Sequence, residues 1–162
     1  MNHSDIKKKI LIFIPAYNVE RKIYSVISRI PKEIFLNNNI HILIINDFST
    51  DNTSKEIERA INNFSYKIDV YNSENNLGYG GVQKYAFNFA IKNQFDHIIM
   101  LHGDGQYPPE KIPIFIDNLL NGNAEGVFGS RLIHPKDALK GGMPLYKFVG
   151  NRVLTFMQNL II

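Results

Sequence analysis

The chain has 162 residues, 44% of them hydrophobic, 20% charged and 12% aromatic, enough for one globular domain with a sizeable core, which excludes intrinsic disorder. It contains no cysteine, so a disulfide framework, a thiolate metal site and a cysteine nucleophile are excluded, and any metal must sit on oxygen or imidazole. The net charge of +3 is too mild to argue for nucleic acid, and no apolar run approaches the roughly 20 residues needed to span a bilayer.

Met1 to Lys9 is a polar, basic lead without the apolar centre of a signal peptide, so the expectation is a protein that is not exported. Ile10 to Ile14 is a continuous apolar run closed by Pro15; Ile40 to Ile45 and Ile98 to Leu101 have the same character, as expected of strands buried on both faces. Lys67 to Tyr71 adds a strand and Gly126 to Phe128 a short one. Helical stripes lie between them: Ile23, Val26, Ile27, Ile30; then Ile57, Ala60, Ile61, Phe64; then Val82, Tyr85, Ala86, Phe89, Ala90; then Ile112, Phe115, Ile116, Leu119, Leu120. The alternation predicts an α/β fold: a doubly wound, mostly parallel sheet with helices on both faces, in a single domain over residues 1–162.

From Ser130 onward Arg131, Lys136, Lys140, Lys147 and Arg152 face one acid, Asp137. This local excess suits an anionic substrate or a membrane surface, and equally a solvated face. Residues 140–162 become increasingly apolar. They read as an amphipathic, membrane-proximal helix that breaks off at the end of the chain, or as a core-covering helix or dimer face.

In doubly wound sheets ligands bind beyond the carboxyl ends of the strands. Four polar loops share that edge: Pro15-Ala16-Tyr17-Asn18, Asn46 to Asp51, Asn75 to Gly81, and His102-Gly103-Asp104-Gly105-Gln106. No Gly-x-Gly-x-x-Gly follows the first strand, and neither a P-loop nor a Gly-x-Ser-x-Gly elbow occurs, which argues against dinucleotide oxidoreductases, P-loop NTPases and α/β-hydrolases.

Asp47 sits where a carboxylate can accept hydrogen bonds from a base or ribose; the alternative is a turn-forming residue. Asp51, or Thr53 with Glu56, has the spacing to start the second long helix as a cap. Gly78 to Gly81 opens a helix whose N-terminal donors suit a diphosphate, with Lys84 one turn in, although tight strand-to-helix connections use the same glycines. Asp104, between Gly103 and Gly105 directly after a buried strand, fits a hard cation bridging a nucleotide diphosphate, because such a cation needs only one or two protein carboxylates. His102 can assist the metal, meet the diphosphate or be a strand-end histidine. Arg131, after Gly129-Ser130, matches a phosphate or phosphosugar.

Taken together, Ile14-Pro15-Ala16-Tyr17-Asn18 with Glu20, Ile45 to Asp51, Asn76-x-Gly78-x-Gly80, Asp104-Gly105-Gln106 and Gly129-Ser130-Arg131 resemble the family 2 glycosyltransferases of GT-A fold. The resemblance is closest to the polyprenyl-phosphate (dolichol-phosphate mannosyl or bactoprenol glucosyl) type. It implies inverting transfer of a sugar from a UDP- or GDP-sugar, with Pro15, Tyr17, Glu20 and Asp47 around the nucleoside and Lys84 near the diphosphate. Asn18, Asp51, Gly78 and Gly103 complete the implied nucleotide-sugar site. Asp104 and Gln106, with His102, would hold Mg2+ or Mn2+, and Arg131 would meet the acceptor phosphate. The implied location is cytoplasmic, at the inner face of the cytoplasmic membrane.

The sequence departs from the family pattern at His102, which stands where the family usually shows the first Asp of Asp-x-Asp. It also lacks the downstream Glu-Asp and Gln-x-x-Arg-Trp motifs of sugar-to-sugar members. A phosphate nucleophile needs no acceptor base, so this gap favours a lipid phosphate over a glycan acceptor. A non-catalytic nucleotide-sugar-binding module and, last, a sugar-nucleotide-forming nucleotidyltransferase are the rival readings; the latter's glycine- and arginine-rich first loop is missing.

Overall fold

The computed structural model describes residues 8–37, 39–64, 66–122, 125–129 and 144–161. They belong to two compact units, 1–125 and 126–162. In the first unit the elements run β1 (Lys9–Ala16), α1 (Ile23–Ser28), α2 (Ile34–Asn37), β2 (Asn39–Asn46), α3 (Thr53–Asn63), β3 (Ile68–Asn72), α4 (Gly78–Lys92), β4 (His97–Met100) and α5 (Ile112–Asn121). A 3-10 turn, Pro109–Lys111, leads into α5, with proline supplying a pre-set φ at the helical start.

The four strands form one parallel sheet in the order β3-β2-β1-β4. Alternate residues of the central strands enter different cores, as the two-residue repeat of a strand requires. Ile10, Ile12, Ile14, Ile42 and Ile44 pack with Ile23 and Val26 of α1, Ile57 and Ala60 of α3, and Ile112 and Ile116 of α5. Leu11, Phe13, Leu43 and Ile45 pack with Val82, Ala86 and Ala90 of α4. The helices thus cover both faces, and a doubly wound α/β fold is what the chain adopts.

The strand order fixes where a ligand can sit. The chain moves outward from β1 to β2 to β3 and then crosses back to place β4 on the other side of β1. The carboxyl ends of β1 and β4 therefore diverge into the crevice at which such sheets bind ligands.

Two elements differ from expectation. Gly126 to Phe128 forms no strand: it takes no ladder pairing, and Phe128 is 92% exposed. Two apolar residues between glycines do not hold a strand without a partner to bury them. The four-residue helix α2 is an element the sequence reading does not contain, with Ile34 buried in the core.

In the second unit, α6 (Leu145–Ile161) is a 17-residue helix with no buried residue. Leu145, Tyr146, Val149, Val153, Leu154, Phe156, Met157, Leu160 and Ile161 are all exposed on it. Among the described residues no helix is long and apolar enough to cross a membrane.

Candidate active site

A cleft of about 290 Å³ opens at the divergence of β1 and β4, lined by residues of four loops. Pro15, Ala16, Tyr17 and Val19 come from the end of β1, Asp47 from the end of β2, Asn76, Gly78 and Tyr79 from the start of α4, and His102, Gly103 and Asp104 from the end of β4. Of the sequence-predicted residues, the structure brings Pro15, Tyr17, Asp47, Gly78, His102, Gly103 and Asp104 together around one space.

The first two loops are clasped into a single unit. Asn18, in the left-handed region at φ 50°, accepts at Oδ1 from the Thr50 N–H (2.9 Å), while its own N–H donates to Ser49 Oγ (3.0 Å). Glu20 Oε2 accepts from the N–H and the side-chain amide of Asn52 (2.9 and 3.1 Å). The Val19 N–H donates to the buried Thr53 Oγ1 (2.8 Å). Asp51 accepts from the Thr53 N–H (2.9 Å) and from the Glu20 N–H (3.2 Å), so it satisfies the first N–H of α3 from the position before the N-cap residue Asn52 and reaches back to the first loop. Burial acts to raise the Asp51 pKa, but hydrogen bonds from the Thr53 hydroxyl, the Thr53 N–H and the Glu20 N–H outweigh it and hold the carboxyl below its ordinary value. Asn18, Glu20 and Asp51, expected around the nucleotide, thus have their side chains committed to joining the loops, and none of them lines the cleft.

Asp47 is 4% exposed and fastens the cleft floor to α4. Its Oδ1 accepts from the Leu77 N–H at 2.7 Å and its Oδ2 from the Gly78 N–H at 3.0 Å, with Ser73 Oγ 3.2 Å from Oδ1. A carboxylate across the first N–H groups of a helix satisfies donors that have no intrahelical partner and meets the positive end of the helix dipole. Of the Gly78 to Gly81 donors that the sequence suggests for a diphosphate, Gly78 is therefore taken by Asp47. Gly78 itself has φ +68°, a conformation that favours glycine. Lys84 lies between the buried Val82 and Ala86, exposed on the outer side of α4 and away from the cleft lining, so the structure does not bring it to the site.

The β4 loop is positioned from β1 and α1. The Gly103 N–H donates to the Pro15 carbonyl at 3.2 Å, continuing the β1–β4 register past the strand end. A Cβ at Gly103 would stand 2.8 Å from that carbonyl oxygen and 3.1 Å from Ile23 Cδ1. The glycine is thus explained by close backbone packing, not by room for a ligand. Asp104 follows at the cleft mouth, its Oδ1 accepting from the Gln106 N–H at 3.0 Å. Farther on, Arg29 at the end of α1 forks onto Glu110 (2.5 and 2.9 Å) and closes the loop against α1. That hydrogen-bonded pairing raises the pKa of Arg29 and lowers that of Glu110.

His102 lies in an aromatic row that the sequence does not announce. Its ring is stacked on Tyr79 (centroids 5.8 Å apart) and tilted against Tyr107 (5.1 Å). The Tyr79 hydroxyl reaches Met100 Sδ at 3.6 Å, tying α4 to β4. Val19 lines the cleft outside any loop or motif the sequence marks, whereas Ala16, Asn76 and Tyr79 belong to marked loops but carry no individual role in the sequence reading. Arg131 falls outside the described residues.

Among the described residues no three His, Cys, Asp or Glu side chains group as a metal cage. The cleft supplies the Asp104 carboxylate, oriented by the Gln106 N–H, with Gln106 and His102 beside it in the sequence. The Asp104 carboxylate, with the Gln106 side-chain oxygen, is the kind of oxygen ligand a magnesium-like cation takes when diphosphate oxygens and water complete its shell, and His102 would add an imidazole nitrogen.

The chain is 33% identical over 165 residues to the UDP-N-acetylglucosamine–dolichyl-phosphate N-acetylglucosaminyltransferase of Methanococcus voltae, covering 95% of this chain and 63% of that protein. It is 30% identical over 142 residues to the undecaprenyl-phosphate 4-deoxy-4-formamido-L-arabinose transferase of Yersinia enterocolitica, covering 86% of this chain and 41% of the other. The chain thus spans less than two thirds of the length of these curated relatives. In fold it is similar to a mannosyltransferase from Pyrobaculum calidifontis solved with GDP-Man and Mn2+ (TM-score 0.57, 16% identity, 83% of this chain and 38% of that one). The family model of glycosyl transferase family 2 matches residues 11–159, nearly the whole chain, and the protein belongs to that family.

Proposed function

We propose that this chain carries the donor site of an enzyme that transfers a sugar, with inversion, from a nucleoside diphosphate sugar to a polyprenyl phosphate, using a divalent cation. The observation that carries the reading is the position of Asp104: a carboxylate at the mouth of a cleft at the sheet's switch point, on a loop held from β1 and α1. Relatives named for dolichyl-phosphate and undecaprenyl-phosphate transfer support the lipid acceptor.

In this reading Pro15, Tyr17 and Asp47 hold the nucleoside, and Asn18, Glu20 and Asp51 keep the loops beneath it in place. Asp104 and Gln106 hold Mg2+ or Mn2+ together with the diphosphate. When bound, the cation supplies Lewis-acid stabilisation of the negative charge on the departing nucleoside diphosphate. Asp104 is oriented for that duty before any ligand arrives, because its Oδ1 is fixed by the Gln106 N–H. Arg131 is assigned to the acceptor phosphate on the strength of the family resemblance. The attacking phosphate oxygen is already anionic, so no side chain need take its proton.

The exposed apolar residues of α6, with Lys147 and Arg152 and no acidic residue on the same helix, suit the surface of an anionic membrane, where a lipid phosphate would be met. In this reading the enzyme works at the inner face of the cytoplasmic membrane. The test is transfer of label from UDP- and GDP-sugars into an organic-extractable product in vesicles containing polyprenyl phosphate. The proposal expects a lipid-linked product that Asp104→Ala abolishes. Donor binding without any transfer, from a folded wild-type chain, would favour the binding-module reading instead.

A further inference from the structure

The turn that carries Asp104 is closed by a contact between rings. His102 precedes the turn and Tyr107 follows it, and their ring centroids lie 5.1 Å apart, so the segment between them is pinched at its two ends. Within the pinch Gly105 takes the left-handed conformation at φ +74°, and the Gln106 N–H donates to Asp104 Oδ1 at 3.0 Å.

Tyr79 holds this pinch from α4. It lies in the first turn of that helix, next to Gly78, whose N–H is fixed by Asp47 at 3.0 Å. Its ring is stacked on His102, 24° from parallel with centroids 5.8 Å apart, and its hydroxyl meets Met100 Sδ at 3.6 Å. Met100 and His102 are two residues apart at the end of β4, where alternate residues share a face, while the buried Leu101 between them enters the opposite core. One side chain thus engages both residues through which β4 runs into the Asp104 turn. Tyr79 is itself 56% exposed, so the burial of a large ring does not account for its placement.

We propose that Tyr79 is a positioning residue for the divalent cation: by stacking on His102 it holds the 102–107 turn in the arrangement in which Asp104 meets the cation and the diphosphate. This rests on the proposed donor site and adds to it a residue that acts through another. Without the stack the turn samples further arrangements, and the apparent affinity for the cation falls by the fraction that remains competent. An aromatic pair of this kind is worth a factor of roughly two to ten. Nucleotide binding that does not use the cation is unaffected, because the loops after β1 and β2 are held by their own hydrogen bonds.

The test is titration of UDP and GDP, each with and without Mn2+, into wild type, Tyr79→Phe and Tyr79→Leu, with free Mn2+ followed by electron paramagnetic resonance and folding checked by a thermal melt. Tyr79→Phe keeps the ring and loses only the hydroxyl contact to Met100, so it should take up Mn2+ with the nucleotide as wild type does. Tyr79→Leu keeps apolar bulk but loses the stack; the Mn2+-dependent part of its affinity should fall roughly two- to tenfold while metal-free nucleotide binding stays at the wild-type value. The inference is overturned if Tyr79→Leu keeps the full Mn2+ effect, loses affinity equally with and without Mn2+, or no longer folds, and equally if Tyr79→Phe loses as much as Tyr79→Leu. Each of these results leaves the donor site standing. Wild type that binds neither nucleotide, or binds one with indifference to Mn2+, would instead overturn the donor-site reading, and this inference with it.

Discussion

Replacing Asp47 with alanine tests whether the carboxylate is the fastening between the cleft floor and α4. The change removes an acceptor from two backbone donors, Leu77 and Gly78, but with unequal effect. The Gly78 N–H keeps Asn76 Oδ1 at 2.9 Å, whereas the structure gives the Leu77 N–H no other acceptor than Asp47 at 2.7 Å. A hydrogen bond to a charged group is worth about 1.5–3 kcal/mol, and water reaching the half-buried Leu77 amide recovers part of the loss. The expected destabilisation is about 2 kcal/mol, which for a chain of this size lowers the melting temperature by about 4–8 °C. Asp47→Asn, which retains one oxygen for Leu77, should lose about half as much. Urea unfolding followed by circular dichroism measures both. A midpoint for Asp47→Ala indistinguishable from wild type would show that the start of α4 does not depend on this carboxylate, and the account of the cleft floor would be wrong.

Two further substitutions follow from the loop geometry. Gly103→Ala would put a Cβ 2.8 Å from the Pro15 carbonyl oxygen, a backbone atom that cannot swing aside; it should destabilise by about 1–3 kcal/mol and weaken cation-dependent nucleotide binding together, read by a melt and a titration on the same sample. Asp51 is held below its ordinary pKa near 3.8 in the fold, so its stabilising contribution is fully present above that value and is lost as pH falls through the depressed one. Asp51→Asn should therefore flatten the acid limb of the stability-against-pH curve and leave its slope near pH 7 unchanged.

The elements best read from sequence were those with one strong period. Ile10 to Ile14 and Ile42 to Ile45 are buried on both faces, and the stripes at Ile57 and Val82 mark the faces of α3 and α4 that enter the two cores. Convergence of the loops followed from the α/β order alone. Less legible were contacts between residues far apart in the chain. Nothing local at Asp47 signals that its carboxylate will meet Leu77 and Gly78, or that Tyr79 will lie on His102.

The same limit explains the residues whose roles came out differently. Asn18, Glu20 and Asp51 carry the polarity of ligand contacts, but the two loops come close enough to use that polarity on each other. The outward position of Lys84 is legible in the sequence: it falls midway between Val82 and Ala86, and a helix cannot turn all three positions to one side. Gly126 to Phe128 has strand-like composition, yet strand formation depends on a partner that composition does not reveal.

The central claim is that Asp104 makes nucleotide binding depend on a divalent cation. Its most direct test is isothermal titration of UDP and GDP into the wild-type chain and Asp104→Asn, each with and without Mn2+. Mn2+ should tighten binding of one nucleotide to wild type, and Asp104→Asn should abolish the Mn2+ effect while retaining metal-free binding. Affinity indifferent to Mn2+ in wild type, or a Mn2+ effect that survives in Asp104→Asn, would contradict it.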